Sequence, residues 1–219
     1  MFAGGRHSEN IVEEYLNEAK EEGLSWLRAE EYPMEWFTTN KTKVTGRPDF
    51  VLGTWVNSEF KAERILELKL VSAAKTARDV GVLMKPKLMH VLQAAHYSLK
   101  LGLPAELWYR NQASFDVTFK SAEGIPKDHP RVQYNWKGEP HSIKPFMQSY
   151  LIGFSDSGQV YYQSVDYETG FLGEQVLTIV TKDGIVGYFE QLSRMDETQE
   201  LPPKPADLEL DGQKQSWAA

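Results

Sequence analysis

Two short runs and the helix after them constrain this chain more than any other feature. Thr45-Gly46-Arg47-Pro48-Asp49-Phe50-Val51-Leu52 reads as a tight Gly/Pro turn feeding a strand. Ile65-Leu66-Glu67-Leu68-Lys69-Leu70 reads as a second strand. Side chains alternate along a strand, so Leu66, Leu68 and Leu70 share one face while Glu67 and Lys69 share the other. With Asp49 supplied by the neighbouring strand, two carboxylates and a lysine converge on one point. Such a set can hold a hard divalent cation and position a water against a phosphate. A lone Glu-x-Lys on a strand is more often a pair of solvated surface charges. The ordered combination, closed by Gln93-Ala94-Ala95-His96-Tyr97 on a helix, is more specific than any one of its parts.

Taken in that order, the residues resemble the PD-(D/E)XK nuclease superfamily. The Gln93/Tyr97 pair looks like the mark of its RecB-like exonuclease branch, which occurs in bacteriophages, CRISPR-associated nucleases and recombination helicase–nucleases. The resemblance covers roughly residues 1–111. It implies an α/β fold with a restriction-endonuclease-like core, a mixed sheet flanked by helices, followed by a β-rich C-terminal extension. The activity it implies is a metal-dependent DNA exonuclease, hydrolysing phosphodiester bonds from DNA ends in recombination, repair or phage DNA processing. In that reading Asp49, Glu67 and Lys69 are catalytic. Asp49, Glu67, the Leu68 carbonyl and Glu9 hold one or two Mg²⁺ or Mn²⁺ ions. Gln93 and Tyr97 are neutral donors that orient the substrate strand. The alternatives are a non-catalytic DNA-binding subunit on a nuclease-derived fold and a structure-specific endonuclease.

Glu9 enters through the first helix. Apolar residues at Ile11, Val12, Tyr15, Leu16, Ala19, Leu24 and Leu27 give a helical period from Glu9 to about Leu27. RecB-like nucleases place a histidine or glutamate there, one turn before a second glutamate. Setting Val12-Glu13-Glu14-Tyr15-Leu16 on that pattern puts Glu9 at the ligand position. His7 fits only if the helix begins earlier, and Glu9 and Glu13 read equally well as solvated helix charges.

The net charge of −7 argues at first against a DNA partner, which wants lysine and arginine. Residues 41–110 invert it, with twelve lysines and arginines against six acidic residues. Within them, 73–87 reads as a basic loop broken by Gly81 and Pro86. That loop could clamp DNA or be a mobile surface loop, and its Lys75 and Arg78, with Arg47 from the Gly/Pro turn, are the candidates for DNA contacts. His90 and His96 read as packing or DNA-backbone residues.

Leu88 to Leu101 is a helix and Ala105 to Arg110 a core strand. Beyond them, Ser114–Phe119, Val132–Trp136, Met147–Phe154 and Val160–Val165 alternate like strands, and Asp183–Met195 reads as a helix. The expected organisation is a nuclease core over 1–111, a β-rich extension and closing helix packed on it over 112–196, and a flexible tail over 197–219. In many RecB-like relatives a Pro-rich stretch precedes an iron–sulfur cysteine cluster. Here Leu201-Pro202-Pro203-Lys204-Pro205 is followed by no cysteine, so no such cluster is expected. The implied partners are DNA, single-stranded or with free ends, and a second copy or a recombination protein. No membrane is involved. The absence of a signal peptide and of cysteine points to the cytoplasm, the host's if the chain is phage-encoded.

Overall fold

Two residues decide how the central strands meet. Asn57 and Ser58 both adopt positive φ, 51° and 66°, the primed hairpin turn whose twist matches that of its flanking strands. The computed structural model describes residues 10–14, 16–17, 25–28, 34–166, 169 and 171–198. In chain order, helix α1 (residues 10–14 and 16–17), strand β1 (Ser25–Arg28) and the hairpin β2 (Met34–Phe37) and β3 (Lys43–Gly46) come first. The long strands β4 (Phe50–Val56) and β5 (Glu59–Leu70) follow, joined by that turn. Helices α2 (Ala74–Gly81) and α3 (Leu88–Leu101) then lead to β6 (Ala105–Asn111).

β4 and β5 pair antiparallel from Phe50↔Leu66 to Val56↔Glu59, with an irregularity after Leu52. Gly53 sits at that irregularity because a Cβ there would lie 2.1 Å from the Lys61 carbonyl oxygen. β5 and β6 run parallel, Ile65↔Ala105 to Leu70↔Arg110. Such a pair needs a long crossover, which α2 and α3 provide. Helix α3 ends where Gly102 takes the left-handed conformation (φ 68°), its N–H donating to the Ser98 carbonyl.

The sheet is covered on both faces. Val12 of α1 packs with Phe50, Leu66, Leu68 and Trp108 on one side. Val91, Ala94, Ala95 and Tyr97 of α3 pack with Ile65, Leu107 and Tyr109 on the other. Paired alanines let the helix approach the strands closely. The face that carries Glu67 and Lys69 is therefore not a solvent face, because α3 lies over it.

The remaining elements are β7 (Phe115–Asp116), the short helix α4 (Phe119–Ala122), β8 (Val132–Tyr134), β9 (Pro140–Ile143), β10 (Phe146–Phe154), β11 (Gln159–Asp166), β12 (Phe171–Leu172), β13 (Val176–Thr181) and helix α5 (Lys182–Thr198). β10 pairs antiparallel with β6, and β11 with β10. The main sheet is thus eight-stranded and mixed, ordered β1-β4-β5-β6-β10-β11-β12 with β13 also on β11. After residue 111, β10, β11, β12 and β13 prolong this sheet. β7, β9 and β8 make a separate three-stranded sheet. Helix α5 closes on the β2–β3 hairpin: the Ser193 hydroxyl bonds Thr38 and Thr42, and Glu190 accepts from the Thr39 N–H.

Several local expectations change, among them the strand read over Ser114–Phe119, of which only Phe115–Asp116 is strand while Phe119 opens α4. Residues 25–28 are not the end of a helix but an edge strand on β4, Ser25↔Gly53 to Arg28↔Phe50. Trp26 there meets the Phe50 ring edge-on at 5.7 Å, burial that a continuing helix would forgo. Residues 74–81 are a helix and not a basic loop. β9, β12 and β13 are strands additional to those read from alternation. Residues 197 and 198 of the expected tail belong to α5, and the rest of it lies outside the described residues. Among the described residues no helix is long and apolar enough to cross a membrane.

Candidate functional site

A turn and a strand bring the two carboxylates together. Asp49 immediately precedes β4, one step before the Phe50↔Leu66 pair, which sets it beside Glu67 on the α3 face. Its Oδ2 accepts a hydrogen bond from the Leu68 N–H at 2.6 Å. The Leu68 side chain is buried on the opposite face with Val12 and Trp108.

Glu67 is 2% exposed. Lys69 Nζ lies 2.5 Å from its Oε1, while its Oε2 is buried without a hydrogen-bond partner. A buried carboxylate oxygen with no protein donor is costly, and a water, an ion or a proton satisfies it. Burial first, and then the charge of Asp49, push the Glu67 carboxyl up from 4.5 to about 7 against the opposing pull of Lys69. In the absence of a cation the Glu67 carboxyl therefore keeps its proton to a higher pH than a free glutamate does.

Tyr97 is 7% exposed. Its phenol accepts from Gln93 Nε2 at 3.0 Å and is hydrogen-bonded with the Arg47 backbone. Its ring lies so close to Gly46 that a Cβ there would stand 2.6 Å from Tyr97 Cε1 and 2.4 Å from Met34 Cε. Tyr97 therefore fastens the Gly46-Arg47-Pro48 turn that presents Asp49. Gln93 and Tyr97 meet as their i, i+4 spacing requires, and both belong to the same site. In this structure, however, they are bonded to each other and to the turn. Glu67 and Lys69 are close enough to bias the phenol electrostatically, although burial is the main cause of its raised pKa.

His90 joins the set from the first turn of α3. Its Nδ1 lies 2.8 Å from the Tyr109 hydroxyl, which also accepts from the Lys87 N–H. Burial, then the charges of Lys69 and Lys87, lower the imidazole to about 4, so it is neutral at physiological pH. In sequence His90 reads as a packing or DNA-backbone residue; its Tyr109 partner, on the next element β6, carries no sequence signal.

The other expected residues are dispersed. Arg47 and Lys75 are exposed. Arg78 is 9% exposed and turned inward: its Nη1 donates to the Lys120 and Glu123 carbonyls at 3.2 Å each, and its Nε to Asp79. A guanidinium committed in this way does not face a DNA strand. Glu13 forms a two-pronged pair with Arg28, both contacts at 2.6 Å. Glu9 and His7 lie outside the described residues. Among the described residues no group of three His, Cys, Asp or Glu side chains converges; the pair Asp49–Glu67 stands with Lys69 and His90. With no cysteine in the chain, cysteine-ligated iron–sulfur chemistry is excluded. No protein-family model, curated protein or solved structure matches the chain.

Proposed function

We propose that the protein is a metal-dependent deoxyribonuclease of the PD-(D/E)XK type, acting as an exonuclease on DNA ends. The observation that carries this reading is the buried Glu67 carboxylate, one oxygen unpartnered, beside Asp49 and Lys69. The topology supports it: an antiparallel β1-β4-β5 meander, a helical crossover and the parallel β6 place all three residues at one sheet position.

Asp49 and Glu67 would hold Mg²⁺ or Mn²⁺, hard cations that take carboxylate oxygens. A bound cation supplies Lewis acidity toward a phosphate and a water at neutral pH. The chain's own residues do the rest. The Leu68 N–H and the Tyr97-braced turn fix the Asp49 carboxylate, so little rearrangement is needed on binding. Lys69, paired with Glu67 in this structure, would meet a phosphate oxygen or the attacking water, a role for a compact ammonium on a flexible stem. His90, neutral and next to that lysine, adds no competing charge. Exonuclease action rests on the resemblance and on the lack, among the described residues, of an element shaped to deliver side chains to base edges.

The test is incubation of end-labelled linear DNA and covalently closed circles, single- and double-stranded, with Mg²⁺, with Mn²⁺ and with EDTA. Metal-dependent release of labelled ends with intact circles is the expected result. Discrete cuts in closed circles would overturn the exonuclease assignment, and no hydrolysis of any substrate would overturn the nuclease.

A further inference from the structure

The three-stranded sheet apart from the main one has no part in the site, yet it spends two large aromatic side chains on solvent. Phe119 is 97% exposed and Trp136 is 89% exposed. A buried side chain of this size contributes about 2–3 kcal/mol that an exposed one does not, so neither ring serves the fold.

Both rings sit on well-made turns. Thr118 and Ser121 form a reciprocal capping box around the start of α4, with Phe119 its first residue. Trp136 tops the β8–β9 hairpin. There the Asn135 N–H donates to the Glu139 carbonyl, and Asn135 Oδ1 accepts from the Lys137 and Glu139 N–H groups. The neighbouring acid, Glu139, is held by Asn135 Nδ2 at 2.9 Å.

The strand register brings the rings to one end. β7 and β8 each run antiparallel to β9 on its two sides. The Val117 N–H meets the His141 carbonyl, and Tyr134 lies opposite Pro140. Phe119 and Trp136 each follow two residues later, so they leave the same end of the sheet from its two outer strands, which lie about two strand spacings, or roughly 10 Å, apart. Each is followed by an exposed lysine, Lys120 and Lys137, and the Lys137 ammonium lies 5.1 Å from the Trp136 ring centre. The exposed His141 lies between them.

Aromatic faces paired with lysines suit a ligand that alternates flat rings with anionic linkages. We propose that this end of the β7-β9-β8 sheet is a platform for single-stranded DNA, with Phe119 and Trp136 stacking on bases and Lys120 and Lys137 meeting phosphates. Arg78 ties the platform to the proposed centre. It lies on α2, which starts four residues after the strand bearing Lys69, and it grips the α4 backbone. The platform rests on the nuclease reading only for its role in feeding a strand toward Asp49 and Glu67.

The test measures anisotropy of a fluorescent 20-nucleotide oligothymidylate titrated with the full chain in EDTA, where no cleavage competes. Phe119→Ala/Trp136→Ala should weaken binding at least tenfold with an unchanged melting temperature. Trp136→Tyr should keep most of the affinity, and Lys120→Glu/Lys137→Glu should weaken binding and flatten its salt dependence. Equal binding by wild type and the double-alanine variant, or no binding by wild type, overturns the platform. Wild-type binding lost in that variant, with no hydrolysis under Mg²⁺ or Mn²⁺, upholds the platform while removing the nuclease.

Discussion

Replacing Glu67 with glutamine should stabilise the metal-free protein at high pH and not at low pH. The Glu67 carboxyl is raised from 4.5 to about 7 by burial and by Asp49. A folded state that prefers the proton has its full relative stability below pH about 4.5 and loses it as pH climbs to about 7. A shift of about 2.5 units at about 1.4 kcal/mol each makes the penalty about 3 kcal/mol at pH 8. That is an upper bound, since the variant also gives up the contact with Lys69. For a chain of this size each kcal/mol moves the melting temperature by roughly 2–4 °C, so Glu67→Gln should melt several degrees higher at pH 8 in EDTA. At pH 4 the two proteins should coincide. Mn²⁺ should then reverse the order: at about 1,000 times its dissociation constant it contributes about 4.1 kcal/mol to the wild type, and little to a variant lacking the carboxylate. Scanning calorimetry at both pH values, with EDTA and with Mn²⁺, measures all four quantities. A variant less stable at pH 8, or a gap independent of pH, would refute the reasoning.

Three further outcomes follow from the same contacts. Lys69→Ala should keep Mn²⁺ binding by calorimetric titration and lose turnover; cleavage near the wild-type rate would make Lys69 a partner of Glu67 and nothing more. Gly46→Ala drives a methyl into Tyr97 and Met34 and should cost about 1–3 kcal/mol. It should also weaken Mn²⁺ binding, since the turn carries Asp49, and unchanged affinity would detach Tyr97 from the site. Arg78→Ala leaves the Lys120 and Glu123 carbonyls without their donor and should destabilise the fold by about 1–3 kcal/mol in urea unfolding, whereas a residue serving only DNA would leave stability untouched.

How far the sequence exposes this structure depends on how local each determinant is. Helix α3 is written in neighbouring residues, an apolar stripe ending at Gly102, and is found where read, whereas β5 starts at Glu59, six residues before the Ile65 run read as its strand, because the Asn57-Ser58 turn lets it pair with β4 from Val56↔Glu59 onward. The meeting of Asp49, Glu67 and Lys69 follows from strand alternation plus one antiparallel pairing. The helical period of the first segment misled over residues 25–28, because Trp26 and Arg28 are placed by partners in β4 and α1. Cation content misled over residues 74–81. Ala74 and Ala77 favour a helix, and the Arg78 charge is absorbed by carbonyls more than forty residues away, a pairing no local pattern announces. The inward turn of Tyr97 was hidden for the same reason. Its partner is the backbone of a turn that touches it only after folding.

Calorimetric titration of Mn²⁺ into wild type, Asp49→Ala and Glu67→Gln, paired with end-labelled DNA cleavage on the same samples, most directly tests the metal-dependent nuclease. Saturable Mn²⁺ binding and hydrolysis in the wild type, both lost in each variant, is the expected result. Hydrolysis that survives in EDTA, or Mn²⁺ affinity unchanged in both variants, would contradict it.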